Sequence, residues 1–236
     1  MPILAIDTSS RVSSVAIASE ERLWAELTME GKLTHSETLM PHIEQVLGMA
    51  ELPKEELEGI AVSIGPGSFT GLRIGLAAAK AMAYALEIPL VAVSSLQALA
   101  CHYPVSGVRL VSLVDAQKGN AYRESYCWES GNLKVLEPMG IVPVKEFLGA
   151  CGDLRVETIL LGDMTGKRTV AEWSLPPHVR IAPPHLRMPR AAGVAMLGLR
   201  KLAAGEKADP MSLEPVYVRR SEAEVLWEKR HPGTEL

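Results

Sequence analysis

Short apolar runs separated by polar turns dominate the beginning of the chain, and their spacing predicts three strands. Residues 3–6 form an apolar run that ends at Asp7, residues 12–18 form a second run, and residues 22–28 alternate as a third. Runs of this length with this alternation are typical of β-strands. Apolar residues then recur with helical spacing over 35–49, so a strand–strand–strand–helix unit is expected.

The same pattern starts again in the second half of the chain. An apolar run over 110–114 ends at Asp115, two further strands are predicted over 121–128 and 133–136, and residues 144–151 have the spacing of a short helix. The order of elements is the order seen in the first half. The chain therefore carries an internal repeat.

Two shorter matches support the repeat. Asp115 takes the place of Asp7 at an offset of 108 residues (115 − 7). The pattern Gly-x-x-Thr-Gly follows an apolar run at 67–71 and again at 162–166. Because these matches occur in the same order, we expect two lobes, each with strands followed by helix, strand and helix.

The predicted lobes are residues 1–103 and 104–236. The second lobe contains a proline-rich segment, 174–190, with five prolines in 17 residues. Proline lacks a backbone N–H, so this segment is predicted to be extended and superficial, and neither a helix nor a central strand. A helix is expected from Ala191 to a C-cap at Gly205, followed by a polar tail.

A glycine-rich loop at 65–71 connects a predicted strand to a predicted helix over 71–86. Leu72 and Arg73 follow it where a Walker loop needs Lys and Ser or Thr, and a proline interrupts the dinucleotide-binding spacing. We interpret the loop as a strand-to-helix turn with Thr70 as N-cap. Phosphate binding at the helix N-terminus is the alternative.

The helix over 71–86 has unusually little polar surface. Arg73 and Lys80 are its only charged residues up to Leu86, whereas an ordinary surface helix is polar over about half of its circumference. It is either internal to a larger core or covered by another helix: the one over 35–49, a second subunit, or both. The residues predicted for a subunit interface are Leu39, Met40, Ile43, Leu47, Leu72, Gly75, Ala78, Ala79 and Met82.

The loop after the first strand is the candidate for a nucleotide cleft. Asp7, Thr8 and Ser9 could contact phosphate or metal through the carboxylate and backbone amides, and a cleft between lobes would bring Asp115 to the same floor. The alternative is an Asx or Ser/Thr turn that satisfies its own backbone. ATP or ADP is the one cofactor that this loop suggests.

Composition narrows the function classes. A net charge of −4 argues against nucleic-acid binding by bulk electrostatics, with Arg219–Arg220 and Lys229–Arg230 as the local basic pairs. The three cysteines and six histidines show no metal-binding spacing, and no nucleophile elbow occurs. No run reaches the roughly 18 apolar residues of a membrane span. We expect no metal, no catalytic residue, no membrane association and a cytoplasmic location.

Several motifs together resemble the TsaB (YeaZ) family across essentially the full length of the chain. They are ILAIDTS, SIGPGSFTGLRIGL, VSSLQALA, DAQKGNAYRESY and EPVYVRR. The resemblance implies an α/β fold of the actin-like (ASKHA, ribonuclease-H-like) type, with two duplicated lobes of mixed sheets and helices. This agrees with the internal repeat.

The resemblance also implies a role in making N6-threonylcarbamoyladenosine at position 37 of tRNAs that read ANN codons. In that family the protein is the non-catalytic partner of TsaD, the small ATPase TsaE docks on the pair, and tRNA is reached only through the complex. TsaD carries a metal-binding His-Met-Glu-Gly-His where this chain has Ser95-Leu96-Gln97-Ala98-Leu99, so both imidazoles are missing.

In that family, the heterodimer resembles a four-helix bundle built from the first two helices of each subunit. By this resemblance, the corresponding helices of this chain are 35–49 and 71–86. The same surface is implied for a homodimer when the protein is alone. The competing hypothesis is an enzyme, either an actin-like-fold ATPase or a glycoprotease-type metallohydrolase.

Overall fold

A computed structural model describes residues 1–31, 34–153, 156–167, 170 and 172–218. These residues form two five-stranded mixed sheets with helices packed on them. The first sheet has the order β3-β2-β1-β4-β5. Its strands are β1 (Ile3–Asp7), β2 (Val12–Ala18), β3 (Leu23–Glu30), β4 (Gly59–Ser63) and β5 (Leu90–Val93).

The second sheet repeats this connectivity with the order β10-β9-β6-β7-β8. Its strands are β6 (Arg109–Asp115), β7 (Asn120–Glu129), β8 (Asn132–Pro143), β9 (Thr158–Leu161) and β10 (Val179–Ile181). In both sheets the first three strands are antiparallel and the last two run parallel to the first. The predicted duplicated, ribonuclease-H-like α/β fold is therefore confirmed.

Helices α1 (His35–Ala50) and α2 (Phe69–Leu86) pack on one face of the first sheet. The second of them begins two residues earlier than predicted. The N-cap of α1 is Thr34, whose N–H and hydroxyl donate to the Glu37 carboxylate at 2.9 and 2.7 Å.

The N-cap of α2 is Ser68, whose Oγ accepts the Gly71 N–H at 3.2 Å. The prediction of Thr70 as the cap is therefore wrong. Several neighbouring hydroxyl residues could serve as caps at these positions, and the geometry of the first turn selects one.

Among the described residues, the second lobe is less helical than the first. Its helix α4 (Val144–Ala150) is seven residues long, against sixteen in α1. The repeated motif at 162–166 forms a 3₁₀ turn, Asp163–Gly166, where the repeat predicted the start of a helix. In the proline-rich segment, β10 is an edge strand and Pro184–Leu186 is a 3₁₀ turn.

The lobes exchange their last helices. Helix α3 (Ser95–Cys101) follows the first sheet but packs Leu96 and Leu99 against Leu110 and Tyr126 of the second. Helix α5 (Ala191–Ala203) follows the second sheet but packs against the first, in one cluster with strands β1, β2, β4 and β5. The division of the lobes at residue 103 stays a prediction. Helix α5 belongs to the second predicted lobe by sequence but packs on the first.

The chain returns to the first lobe after α5. The C-terminal strap, residues 208–218, pairs with the first sheet through Ala208 N–H and the Leu90 oxygen, 2.8 Å, and Val216 N–H reaches the Ile64 oxygen at 2.8 Å. None of the helices in the described ranges is long and apolar enough to cross a membrane.

Candidate functional site

Helices α1 and α2 lie beside each other on the first sheet, and each buries one face against it. Five of the nine predicted interface residues lie on these buried faces. They are Leu39, Ile43, Leu72, Gly75 and Ala79. These residues are buried within the lobe, so they support the helix pair and do not form its outer surface.

The other four predicted residues are accessible to different degrees. Met40 is exposed, and Leu47, Ala78 and Met82 are half-buried between the helices and the core. Whether these two helices form an interface stays a prediction. The sequence pattern could not separate the face that meets the chain's own sheet from the face that meets solvent.

The outer face of α2 is apolar. Ala77, Ala81, Tyr84 and Ala85 are exposed at helical spacing, and Tyr84 is 72% exposed. Exposed alanines let another helix approach closely, and a neighbouring tyrosine provides a large, rigid contact area. This surface, Ala77–Ala81–Tyr84–Ala85, is called the α2 outer face below.

The glycine loop brings α2 close to the hairpin after β1. Gly67, Gly71 and Gly75 stand four residues apart, and a Cβ on each would lie 2.1–2.2 Å from an atom of Ser9 or Thr8. The Ser68 N–H donates to the Ser9 oxygen at 2.7 Å, and the Thr8 hydroxyl donates to the Gly71 oxygen at 2.7 Å. The glycines thus allow a close approach to the backbone of Ser9 and Thr8 at Gly67 and Gly71, and to the Thr8 side chain at Gly75.

The Asp7–Ser9 loop is closed by this contact. Asp7, Thr8 and Ser9 are all buried, and Asp7 has no exposed surface. Asp7 Oδ1 accepts from the Ser9 N–H at 2.9 Å and from the Ser9 hydroxyl at 2.7 Å, which is an Asx turn. Burial raises the pKa of Asp7, and its hydrogen bonds to Ser9 partly offset that effect.

Asp115 lies in a different environment. It borders an open cavity of about 330 Å³ that is lined by residues of the second lobe, and Asp7 is not among them. Its carboxylate pairs with Lys167, and its N–H donates to Asp163 Oδ1 at 3.0 Å. Burial raises the pKa of Asp163. Whether Asp7, Thr8, Ser9 or Asp115 contacts a nucleotide stays a prediction.

Residues 95–99 form most of α3, where TsaD carries its metal-binding motif by resemblance. Leu96, Ala98 and Leu99 are buried in the core of the molecule, and the Ser95 hydroxyl donates to the Pro66 oxygen. In the described part of the chain, no group of three or more His, Cys, Asp or Glu side chains is placed to hold a metal ion.

The sequence did not predict a cluster of one arginine and two aromatic side chains at the start of α2. The Arg73 guanidinium lies over the Phe69 ring at 3.9 Å and donates to the Tyr217 hydroxyl at 2.8 Å, and the two rings are 4.8 Å apart. The signal available was Tyr217 in the EPVYVRR motif, but no local pattern indicates a contact across 144 residues. The basic pairs Arg219–Arg220 and Lys229–Arg230 lie outside the described residues.

Two sheets of the same strand order in one chain define an actin-like, duplicated protein. The same fold is seen in two solved Pseudomonas aeruginosa structures, YeaZ and a protein described as similar to the peptidase YeaZ. They match with TM-scores of 0.76 and 0.79, each at 26% identity over 92% of this chain and 99% of the other.

Comparison of sequences adds the family. The model for TsaD, tRNA N6-adenosine threonylcarbamoyltransferase, matches residues 30–155. TsaB of Bacillus subtilis, a tRNA threonylcarbamoyladenosine biosynthesis protein, is 33% identical over 96% of this chain and 98% of its own length. Escherichia coli TsaB is 26% identical over the whole of both chains. The chain belongs to the TsaB family of tRNA threonylcarbamoyladenosine biosynthesis proteins.

Proposed function

We propose that this protein is a non-catalytic scaffold subunit that binds and supports a TsaD-type catalytic subunit in the synthesis of N6-threonylcarbamoyladenosine on tRNA. The observation that carries the proposal is the α2 outer face, an exposed apolar surface on a helix whose opposite side is fully packed. The names of the relatives support the pathway, and the match to the TsaD model shows that this chain resembles the family of the proposed partner.

Helix-on-helix packing is the proposed mode of association. Ala77 and Ala81 are one turn apart and leave room for a partner helix, and Tyr84 extends the contact by a further turn. On the neighbouring helix, Met40 and Met49 are both exposed and provide adaptable apolar contacts. Two such helices from each partner would form a four-helix bundle.

The same surface would support a homodimer when the protein is alone. A C2 dimer uses one patch on both copies, so α1 and α2 would face their own equivalents. A TsaE-type ATPase would then dock on the mixed pair, and tRNA would be reached only through the complex. This chain would contribute shape and stability and no reacting group.

The test is the substitution Ala81→Glu, with Ala203→Glu as its matched control. Both alanines are exposed and helical, but Ala203 lies at the end of α5. A charge buried at an interface without a partner is strongly unfavourable. We therefore expect Ala81→Glu to weaken binding to the TsaD-type subunit at least about a hundredfold, or roughly 3 kcal/mol, and to reduce tRNA modification accordingly.

The measurements are size-exclusion chromatography with light scattering and a modification assay with purified subunits. Ala203→Glu should behave as the wild type in both. Normal association of Ala81→Glu with the TsaD-type subunit would show that the α2 outer face is not the interface.

A further inference from the structure

A cavity of about 340 Å³ lies on the second sheet beside α4, apart from the surfaces described above. Its polar end is formed by charged and polar side chains of β6, β7 and β8, and its apolar end by residues of α4 together with apolar side chains of β6 and β8. The residues at the polar end are Arg109, Arg123, Ser125 and Glu137, and Phe147 and Ala150 belong to the apolar end.

The helix that borders the cavity, α4, is short. Seven helical residues span about 10 Å, whereas the sixteen of α1 span about 24 Å. Helix α1 therefore covers β2 and β3 of the first sheet along much of their length. In the second lobe, α4 contacts β8, and α3 packs on the opposite face of the sheet.

The polar end carries more positive than negative charge. Glu137 accepts from Arg123 and from the Ser125 hydroxyl at 2.9 Å, and its other oxygen lies 3.5 Å from Arg109 Nη1. Burial acts to raise the pKa of Glu137, but Ser125, Arg123 and Arg109 together lower it, so the carboxylate is ionised. Two guanidinium groups thus share one carboxylate, and Glu146 at the rim is solvent-exposed.

Both arginines also have unused hydrogen-bonding capacity. Their Nε atoms are buried and have no acceptor among the described residues, although buried donors are nearly always paired. The pairing of β7 with β8 shifts register beside this cluster, because β8 carries an extra residue between Glu137, which pairs with Ser125, and Gly140, which pairs with Arg123. Such bulges commonly re-aim side chains next to binding sites. Because these Nε atoms are buried, an anion in the cavity would be bound by the partly exposed remainder of the two guanidinium groups.

The apolar end gives the ligand its second property. Phe147 offers an aromatic ring, and Val111, Val142 and Ala150 form the remaining apolar wall. We propose that this cavity binds a small amphipathic anion, with a carboxylate or phosphate at Arg109 and Arg123 and an apolar body against Phe147. Its volume is within the range of small-molecule sites, about 300–1,000 Å³. Guanidinium pairs suit carboxylate and phosphate equally.

Three probes separate the head group from the body: phenylacetate, phenyl phosphate and the neutral isostere phenylacetamide. The readout is NMR of the full-length protein, following the Nε–H signals of Arg109 and Arg123 and the ring of Phe147. At least one anion should shift these signals with a dissociation constant below about 10 mM, and the amide should bind at least about tenfold more weakly. The probe that binds more tightly identifies the head group.

The variant Arg123→Gln should weaken anion binding at least about tenfold, because one charged donor is lost. Arg180→Gln is the matched control, since Arg180 is exposed on β10 and pairs with Glu157 at 3.6 Å. Ala150→Trp fills the cavity without touching the ion cluster and should abolish binding, which keeps the test valid if Arg123→Gln disturbs the fold. The proposal fails if neither anion shifts the signals at about 10 mM, if the amide binds as well, or if binding survives Ala150→Trp.

Discussion

Thr8 is held against the start of α2 by two glycines, and the two contacts differ in kind. A Cβ at Gly71 would stand 2.1 Å from the backbone oxygen of Thr8, whereas a Cβ at Gly75 would stand 2.2 Å from its side-chain Oγ1. Substitution of Thr8 by alanine removes the side-chain oxygen that faces Gly75, but it leaves the backbone oxygen that faces Gly71. The pair therefore tests whether the glycines serve close packing.

We expect Gly75→Ala to lower the free energy of unfolding by about 1–3 kcal/mol, the usual cost of overpacking. Thr8→Ala should cost about 1 kcal/mol, because the hydrogen bond to the Gly71 oxygen is lost. The double variant Thr8→Ala/Gly75→Ala should be no less stable than Thr8→Ala alone. Gly71→Ala should stay destabilising when Thr8→Ala is added. Urea unfolding of the five variants measures these differences.

Gly48→Ala is the control. Gly48 lies in α1, and a Cβ added to it would meet nothing within 4 Å, so alanine there should raise stability by up to about 1 kcal/mol through helix propensity. If Gly75→Ala were tolerated as well as Gly48→Ala, the close approach of α2 to Thr8 would be refuted.

For single residues, the sequence predicted local turn geometry better than it predicted which side chains are buried. It indicated that the glycines form a turn and that Asp7 could belong to an Asx turn, because both follow from local chemistry. It placed Leu39 and Ala79 at an interface although both are core residues. An apolar helix position has the same letter whether a sheet or a partner covers it, so only the packed structure separates the two.

Among the elements, α2 is braced by the C-terminal strap. Lys80 Nζ donates to the oxygens of Leu213 and Met211 at 3.1 and 3.4 Å, and Leu213 packs against the first-lobe core. The strap thus fixes the flank of the helix that carries the α2 outer face. Among the described residues the strap forms no regular strand. Its position therefore depends on a few hydrogen bonds and side-chain contacts.

We expect Lys80→Met to loosen the strap while leaving the core intact. Loss of two hydrogen bonds from a charged donor should speed amide hydrogen exchange at Ala208 and Val216 by about tenfold. Hydrogen-exchange mass spectrometry measures this, with strands β1 and β4 as the internal reference. Lys54→Met, which removes an exposed Lys–Glu pair, should change exchange at neither position. Unchanged strap exchange in Lys80→Met would contradict the bracing role.

The pattern of apolar residues predicted most strands and helices because each has its own periodicity. It gave no sign that α3 and α5 exchange lobes, since a helix is equally amphipathic on either sheet. The strap was missed for the same reason: its bonds to Leu90, Ile64 and Lys80 join residues that are distant in sequence. The local sequence pattern predicts each helix or strand, but the sheet against which it packs depends on contacts between residues that are distant in sequence.

For the whole molecule, the junction of α3 and α5 is where the lobes meet. His102 caps α3 and lies against Gly193 of α5. Burial, with a further contribution from the positive charge of Arg190, lowers the pKa of His102 to about 4, while Glu26 acts in the opposite direction. The imidazole is therefore neutral in the folded protein at neutral and mildly acidic pH.

This gives a pH dependence with a defined sign. Below its ordinary pKa of 6.5, His102 takes up a proton in the unfolded chain but not in the folded one, until the pH approaches about 4. The free energy of unfolding should fall by about 2 kcal/mol between pH 7 and pH 5 from this group alone. The variant His102→Gln should lose that part of the slope in urea unfolding at the two pH values. Identical slopes in both proteins would contradict it.

The exchange of helices also bears on how the protein is made. Residues 3–93 complete the first sheet, but the helix that covers its second face begins at Ala191. At ribosomal rates of about 5–20 residues per second, the intervening stretch of about a hundred residues takes roughly 5–20 seconds to synthesise. During that interval the second, apolar face of the first sheet is not yet covered by α5. Folding of the first lobe is therefore completed only near the end of translation.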